Sequence, residues 1–320
     1  MIECIVNVSE GRDAAVLADF AAAINSVPSC KLLHQDTGAG AHRTVFTFAG
    51  PPTAVFTAAK AIYKVALDKI DMRQHQGEHP RVGAVDVCPF VPIKGITMEE
   101  IVARTQVLGE ELGAKFGVPV YLYEASATAD YRRNLATIRK GEYEGLAAKV
   151  QDPAWHPDYG PLLNEYFGAT VLGARPFLIA WNINLAQGVS LTVAKKLAAK
   201  LRGSGTKGQP GLFPGLKAIG WHIPEFGRCQ ISCNVVDADQ TDLAKVYLTA
   251  VHLAAALGAK VTGSELIGLV PERYLRRASK AFCFSGDRTE ELDTAVTVLG
   301  LADLEPFDWR ERVLEEVMDK

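Results

Sequence analysis

The sequence predicts an α+β fold of two tandem β-α-β-β-α-β units, residues 1–176 and 177–320. Two-residue alternation and 3.6-residue apolar stripes succeed one another in the same order in both halves. A length of 320 residues leaves room for two domains. With 48% apolar and 22% charged residues, the composition is that of a soluble globular protein with a sizeable core.

In the first half, 2–8 reads as a strand and 13–26 as an amphipathic helix. Residues 30–37 and 43–49 form a strand pair, 53–70 a helix, and 84–92 a further strand. Within 53–70, Val55, Ala59, Ile62 and Ala66 fall on one stripe while Lys60 and Lys64 lie opposite, so this helix covers one face of a sheet. The order is that of the split, ferredoxin-like unit. The second half repeats it: strand 177–185, helix 190–202, strands 216–223 and 228–236, helix 240–257, and one or two short strands in 260–269. The repeat is architectural, without residue-level identity between the copies. Between the copies lie a helix over 97–115, opened by the capping box Thr97-x-x-Glu100, and the strand "VPVYLYE". A helical stretch over 129–149 and a loop-rich stretch over 151–170 follow, and the boundary falls near 176. Two such units with side-by-side sheets would leave a groove between them, a common place for ligands.

Charge and cysteine usage narrow the function classes. A formal net charge of -3 provides no global positive field for nucleic acid or an anionic membrane. The opening "MIECIVNVSEGRD" lacks a basic n-region, and no apolar run reaches the ~18 residues of a spanning helix. Neither a nucleic-acid nor a membrane partner is expected. Of Cys4, Cys30, Cys88, Cys229, Cys233 and Cys283, most sit in apolar strand-like runs and behave as small buried hydrophobes. Cys229 and Cys233 alternate with Ile231 and Val235 on one strand face, which makes them core rather than metal ligands. The default compartment is the cytoplasm.

Three motifs are decoys. His75-x-x-Glu78-His79 spells the inverted zinc-protease signature, which needs a helix to bring both rings to one metal. Gly77 lies inside the motif and Pro80 follows it, and proline disfavours helical geometry at the residue before it. No metal site is therefore expected. Asp36-Thr37-Gly38 matches the aspartic-protease tripeptide, but no second copy supplies the partner aspartate. The glycine-rich 203–211, "GSGTKGQPG", lacks phosphate-loop spacing and reads as a flexible connection, from which Arg202 and Lys207 could touch an anion.

What remains is a polar cluster. Asp36 ends one strand and Arg43 begins the next, His79 lies in the loop feeding 84–92, and Asp86 lies on that strand. Ends and loops from 2–8, 30–49 and 75–83 can meet at one edge of such a sheet. Alone, His79 reads first as a capped loop histidine, and Asp36 with Arg43 reads also as a hairpin ion pair of little energetic weight.

The segments "DTGAGAHRTVFTFAGPP", "GEHPRVGAVDVCPFVP", "VPVYLYEASA", "IRKGEYEGL", "GARPFLIAWNINL" and "AIGW" resemble, in order and spacing, the glutamate formimidoyltransferase family. This is also the formiminotransferase portion of the bifunctional formiminotransferase–cyclodeaminase. The resemblance runs from residue 2 to about 318, so no cyclodeaminase portion is expected in this chain. It implies transfer of a formimino group from N-formimino-L-glutamate to N5 of tetrahydrofolate with release of L-glutamate, a step of histidine degradation and one-carbon metabolism. It further implies two α/β subdomains with a folate groove, a homodimer, and tetrahydrofolate, which can be polyglutamylated, as co-substrate. The family's catalytic histidine falls on His79 and its aspartate before the hairpin on Asp36. Its folate loop falls on Gly160, Pro161, Leu162, Leu163 and Asn164, continuing through Glu165, Tyr166, Phe167 and Gly168. The chain departs from the family at His42, where Asn is usual, at Pro176, where mammalian members have Lys, and in a folate loop one residue shorter.

The implied reaction asks for a base to take the N5 proton, an acid for the departing amine and a fixed charge for the amidinium. A histidine can serve in both proton steps, and Asp36 can orient it or hold the amidinium. Because both substrates carry carboxylates, Arg43, Arg81 and Arg175 are candidates to anchor them through forked hydrogen bonds. No metal or redox cofactor is required.

Overall fold

The computed structural model describes residues 1–282 and 286–320, so Cys283 lies outside the described residues. The chain divides into two compact units, Met1–Pro176 and Phe177–Lys320.

In the first unit, β1 (Ile2–Val8) leads to α1 (Ala14–Asn25), whose start is set by Asp13 accepting the N–H groups of Ala15 and Val16. A hairpin of β2 (Lys31–Gly38) and β3 (Arg43–Gly50) follows, then α2 (Pro52–Lys69) and β4 (Val85–Pro92). These strands pair in the order β2-β3-β1-β4, each neighbour antiparallel. That is the ferredoxin-like order expected from the sequence. The predicted stripe of α2 is fully buried, and with Phe20 and Ile24 of α1 it covers Cys4, Val6, Phe46 and Phe48 of the sheet. Each large apolar side chain so buried contributes about 1.5–3 kcal/mol.

The first unit carries more than the minimal motif. Helix α3 (Met98–Phe116) opens with the capping box of Thr97 and Glu100 and closes on the left-handed Gly117. After β5 (Val120–Glu124), the helical stretch predicted over 129–149 is reduced to α4 (Leu135–Arg139) and α5 (Leu146–Lys149). Lys140 leaves helical geometry and Gly141 turns left-handed, which ends α4. The sequence reading leaves 171–176 without an element, but β6 (Thr170–Ala174) inserts there between β4 and β5, parallel to both. Every residue of β6 is buried, so it shows no alternation by which to recognise it.

In the second unit, β7 (Ile179–Leu185), α6 (Leu191–Leu201), β8 (Leu216–Ile223), β9 (Arg228–Val235), α7 (Leu243–Ala256) and β10 (Val261–Ile267) repeat the motif. The sheet order is β10-β7-β9-β8, again antiparallel throughout. Helices α8 (Glu272–Ala281), α9 (Arg288–Leu299), α10 (Trp309–Arg312) and α11 (Leu314–Asp319) complete it, and none was assigned from the sequence. Cys229 and Cys233 share the core face with Ile231 and Val235. The glycine-rich 203–211 is tied down rather than loose: Arg202 donates from Nε to the Gly205 carbonyl at 3.1 Å and from Nη1 to that of Ala218 at 3.3 Å. Among the described residues no helix is long and apolar enough to cross a membrane.

Candidate active site

Three segments of the first unit converge at one end of its sheet: the turn after β1, the β2–β3 hairpin, and the loop 75–83. Two glycines permit this approach. A Cβ on Gly11 would lie 2.5 Å from the Gly38 carbonyl oxygen and 2.7 Å from the Arg43 nitrogen. On Gly77 it would lie 2.4 Å from the Ala41 oxygen and 2.8 Å from His42 Cβ. The Glu78 N–H donates to the Gly40 carbonyl at 3.3 Å, fastening the loop to the hairpin. Residues 75–80 are not helical, in keeping with Gly77 and Pro80.

His79 sits half-buried on this edge. Its Nδ1–H donates to the Pro80 carbonyl at 2.8 Å, and its Nε2 accepts from Arg43 Nη1. A guanidinium only donates, so the tautomer follows from the partners. Burial pushes the His79 pKa well below the usual histidine range, and the charges of Arg43 and Arg139 push it further against the pull of the Pro80 carbonyl. The imidazole is therefore neutral at physiological pH. Arg43 is itself lowered to about 10, first by burial and then by Arg139, against Asp86 and Asp36.

The hairpin register pairs Gly38 with Arg43 and Asp36 with Val45, so Asp36 and Arg43 lie on one sheet face as diagonal neighbours. They interact through space, and no direct ion pair or hydrogen bond joins them among the described residues. The hairpin ion pair is thus replaced by the Arg43–His79 contact.

Asp86 and Arg139 complete the cluster. The pairing of β1 with β4 runs from Asn7↔Val87 to Val8↔Val85, a bulge that skips Asp86 and re-aims its side chain. Asp86 is fully buried, accepts the Val82 N–H at 2.9 Å, and is ion-paired to Arg139 at the end of α4. Sequence reasoning missed Arg139. It stands in the segment "IRKGEYEGL", but a basic residue on a short polar helix looks like a solvated surface position.

His75 and Arg81 lie behind this layer. The buried His75 accepts from Arg81 Nε at Nδ1, 3.2 Å, so its Nε2–H donates to the His42 carbonyl at 2.9 Å. Arg81 also donates from Nη2 to the His75 carbonyl at 3.1 Å and to Glu144 Oε1 at 2.6 Å. Its Nη1 donates to Glu144 Oε2 at 2.8 Å and Glu142 Oε2 at 3.2 Å. All five of its N–H groups are thereby engaged within the chain, so this guanidinium does not stand open to a substrate carboxylate. The ring nitrogens of His75 and His79 are each engaged by other groups, and among the described residues no group of three His, Cys, Asp or Glu is arranged to hold a metal.

His42 takes a left-handed backbone with φ 48°, a conformation in which Asn, Asp and His are enriched. Its Nδ1–H donates to the Gln76 carbonyl at 2.9 Å and its Nε2 lies 3.2 Å from Glu10 Oε1. Glu10 also accepts the N–H groups of Gly11, Arg12 and Asp13. Burial raises the Glu10 pKa, but these bonds and His42 bring it below its ordinary value.

The segment Gly160–Gly168 has an exposed tip at Gly160, Pro161 and Leu162 and an anchored base. Asn164 donates to the Gly117 carbonyl at 3.0 Å, the Met72 N–H to the Tyr166 carbonyl at 2.9 Å, and Tyr143 to the Glu165 carbonyl at 2.6 Å. Phe167 is fully buried, and the segment ends on the Gly83↔Gly168 bridge, four residues after His79. No hydrogen bond joins Gly160–Gly168 to Asp36, Arg43 or His79 among the described residues. Arg175 follows β6 at the other end of the sheet, where its N–H meets the Phe90 carbonyl at 3.0 Å and its Nη1 that of Pro176 at 3.0 Å. Phe90 stands five residue steps along β4 from Val85, about 16 Å along the strand.

These observations define the class: an α+β protein of two ferredoxin-like units, the first bearing a neutral imidazole among guanidinium and carboxylate groups. Residues 1–175 match the formiminotransferase domain, N-terminal subdomain, and residues 180–319 match the formiminotransferase domain. The chain belongs to the formiminotransferase family. It is 42% identical over 322 residues to the formimidoyltransferase-cyclodeaminase of Gallus gallus, covering 98% of this chain and 59% of that protein. It is 38% identical over 316 residues to the glutamate formimidoyltransferase of Streptococcus pyogenes serotype M1, covering 98% and 97%. To the glutamate formimidoyltransferase of Thermoplasma acidophilum it is 36% identical over 284 residues, covering 88% and 92%. The chain thus spans 59% of the Gallus relative and nearly the whole of the Streptococcus relative.

Proposed function

We propose that the protein is a glutamate formimidoyltransferase, moving the formimino group of N-formimino-L-glutamate to N5 of tetrahydrofolate and releasing L-glutamate. The observation that carries this reading is His79. Its Nδ1 is fixed on the Pro80 carbonyl, its pKa is held low, and its one lone pair is at Nε2. In the reaction, N5 attacks the amidine carbon, a C–N bond forms, and Nε2 takes the N5 proton. The tetrahedral intermediate then breaks its C–N bond to glutamate, and the proton on Nε2 passes to the departing amine. Because a low pKa makes the imidazolium a stronger acid, that second transfer is favourable. Asp36, on the same sheet face as Arg43, supplies the negative charge that a cationic amidinium calls for.

Tetrahydrofolate, with or without a polyglutamate tail, is the co-substrate in this reading, held by Gly160–Gly168, and no metal is required. Arg175 remains available to a tail carboxylate. A cytoplasmic homodimer is part of the same proposal. The test is a donor comparison with tetrahydrofolate as acceptor. N-formimino-L-glutamate should yield 5-formimino-tetrahydrofolate and glutamate in equal amounts, with N-formyl-L-glutamate much slower. A preference for the formyl donor, or no transfer from either, overturns the assignment.

A further inference from the structure

The contact between Arg43 and His79 poses a problem for catalysis. The Nδ1–H of His79 is committed to Pro80, so Nε2 is the only site that can take a proton, and Arg43 Nη1 occupies it. A guanidinium does not give up its proton at neutral pH, so in this arrangement His79 cannot act as a base. Arg43 also differs from Arg81, Arg132 and Arg139 of the same unit. Arg81 is engaged with Glu144 and Glu142, Arg132 with Asp158, and Arg139 with Asp86. Arg43 has no carboxylate in direct contact among the described residues, and its remaining N–H groups have no partner there. Asp36 and Asp86 act on it only through space, and Arg139 opposes them. A guanidinium in this state is prepared for a forked carboxylate.

We propose that Arg43 is a displaceable cap on His79, drawn off by a carboxylate of the donor's glutamate portion, so that Nε2 opens only when the donor is seated. This rests on the formimidoyl-transfer reading and deepens it. Arg43 is then a positioning residue, coupling recognition of the acid end of the donor to availability of the base. A donor without carboxylates would meet a capped base.

The test uses the intact protein labelled with 15N-histidine and glutarate as a dicarboxylate probe. Saturating glutarate should move the His79 Nε2 resonance towards that of an imidazole nitrogen with no donor upon it, and should raise the His79 pKa. Arg43→Gln should show both changes without glutarate and respond no further. In turnover, formamidine should be a poor donor, releasing ammonia, and glutarate should accelerate its transfer to tetrahydrofolate by roughly tenfold or more, a fraction of the range for a general base. That activation should vanish in Arg43→Gln. An unchanged His79 signal in the presence of glutarate overturns the cap, whether the probe binds elsewhere or not at all. So does an Arg43→Gln protein whose His79 titrates like the parent. The two readings separate cleanly. Normal transfer from N-formimino-L-glutamate with a silent His79 removes the cap alone, whereas a responsive His79 without transfer removes the proposed reaction alone.

Discussion

The imidazoles of His42 and His75 stack with centroids 4.2 Å apart and planes 15° apart, clasping the β2–β3 hairpin to the loop that carries His79. The His75 Nε2–H to His42 carbonyl bond and the close seat of Gly77 reinforce the same joint. The position of His79 over Arg43 thus depends on groups outside the Arg43–His79 contact itself.

His79→Ala should lower kcat by roughly 10²–10⁴-fold, the range for loss of a general acid–base, with KM nearly unchanged. Asp36→Asn should also slow turnover, and the double variant should lose less than the product of the two effects. Steady-state kinetics on protein of verified thermal stability decides this. A stable His79→Ala enzyme with parental turnover would falsify the role of His79.

The pH dependence follows from the direction of the shift. Burial, Arg43 and Arg139 depress the His79 pKa, so the acidic limb of kcat/KM should lie below the ordinary histidine value of ~6.5. Burial likewise depresses His75. Stability linked to both groups is full above ~6.5 and is lost as pH falls through their folded values. Denaturant midpoints between pH 7.5 and 5 should decline in the parent and decline less in His79→Gln.

Gly77→Ala should uncouple activity from stability. Its methyl would meet backbone at 2.4 Å, so the loop must lift from the hairpin while the two β-α-β-β-α-β cores stay intact. We expect at least a roughly tenfold loss of kcat with a small change in melting temperature, as for a misplacement of about 1 Å in a reacting group. Equal losses in both would point to general unfolding instead.

Arg81→Ala should cost roughly 1–3 kcal/mol of stability by leaving His75 without its donor, and Arg81→Lys should recover only part because it lacks the fork. Since Glu142 and Glu144 are exposed enough to be solvated, they add little to that figure. Urea denaturation of the three proteins measures the difference.

Arg139→Ala should be more damaging, by roughly 3–5 kcal/mol, because it strands the fully buried Asp86 carboxylate. Adding Asp86→Asn should restore part of the loss. A single variant as stable as the parent would show that Asp86 is compensated by something other than Arg139.

Both ferredoxin-like strand orders were legible in the sequence, because alternation and helical stripes are local properties that burial on one face imposes. The non-helical course of residues 75–80 was legible for the same reason: Gly77 and Pro80 act on their own backbone. The sequence also brought Asp36, Arg43 and His79 to one edge, since strand order settles which loops are neighbours. Which of them touch was a tertiary decision. Arg43 meets His79 rather than Asp36, Arg81 turns inward to Glu144, and Arg139, 60 residues beyond His79, closes on Asp86. The strand β6 was likewise invisible, being buried on both faces and paired only with β4 and β5. Such contacts depend on where a bulge or a glycine turns the chain, and on which charge finds which partner once water is excluded. No period in the sequence records that.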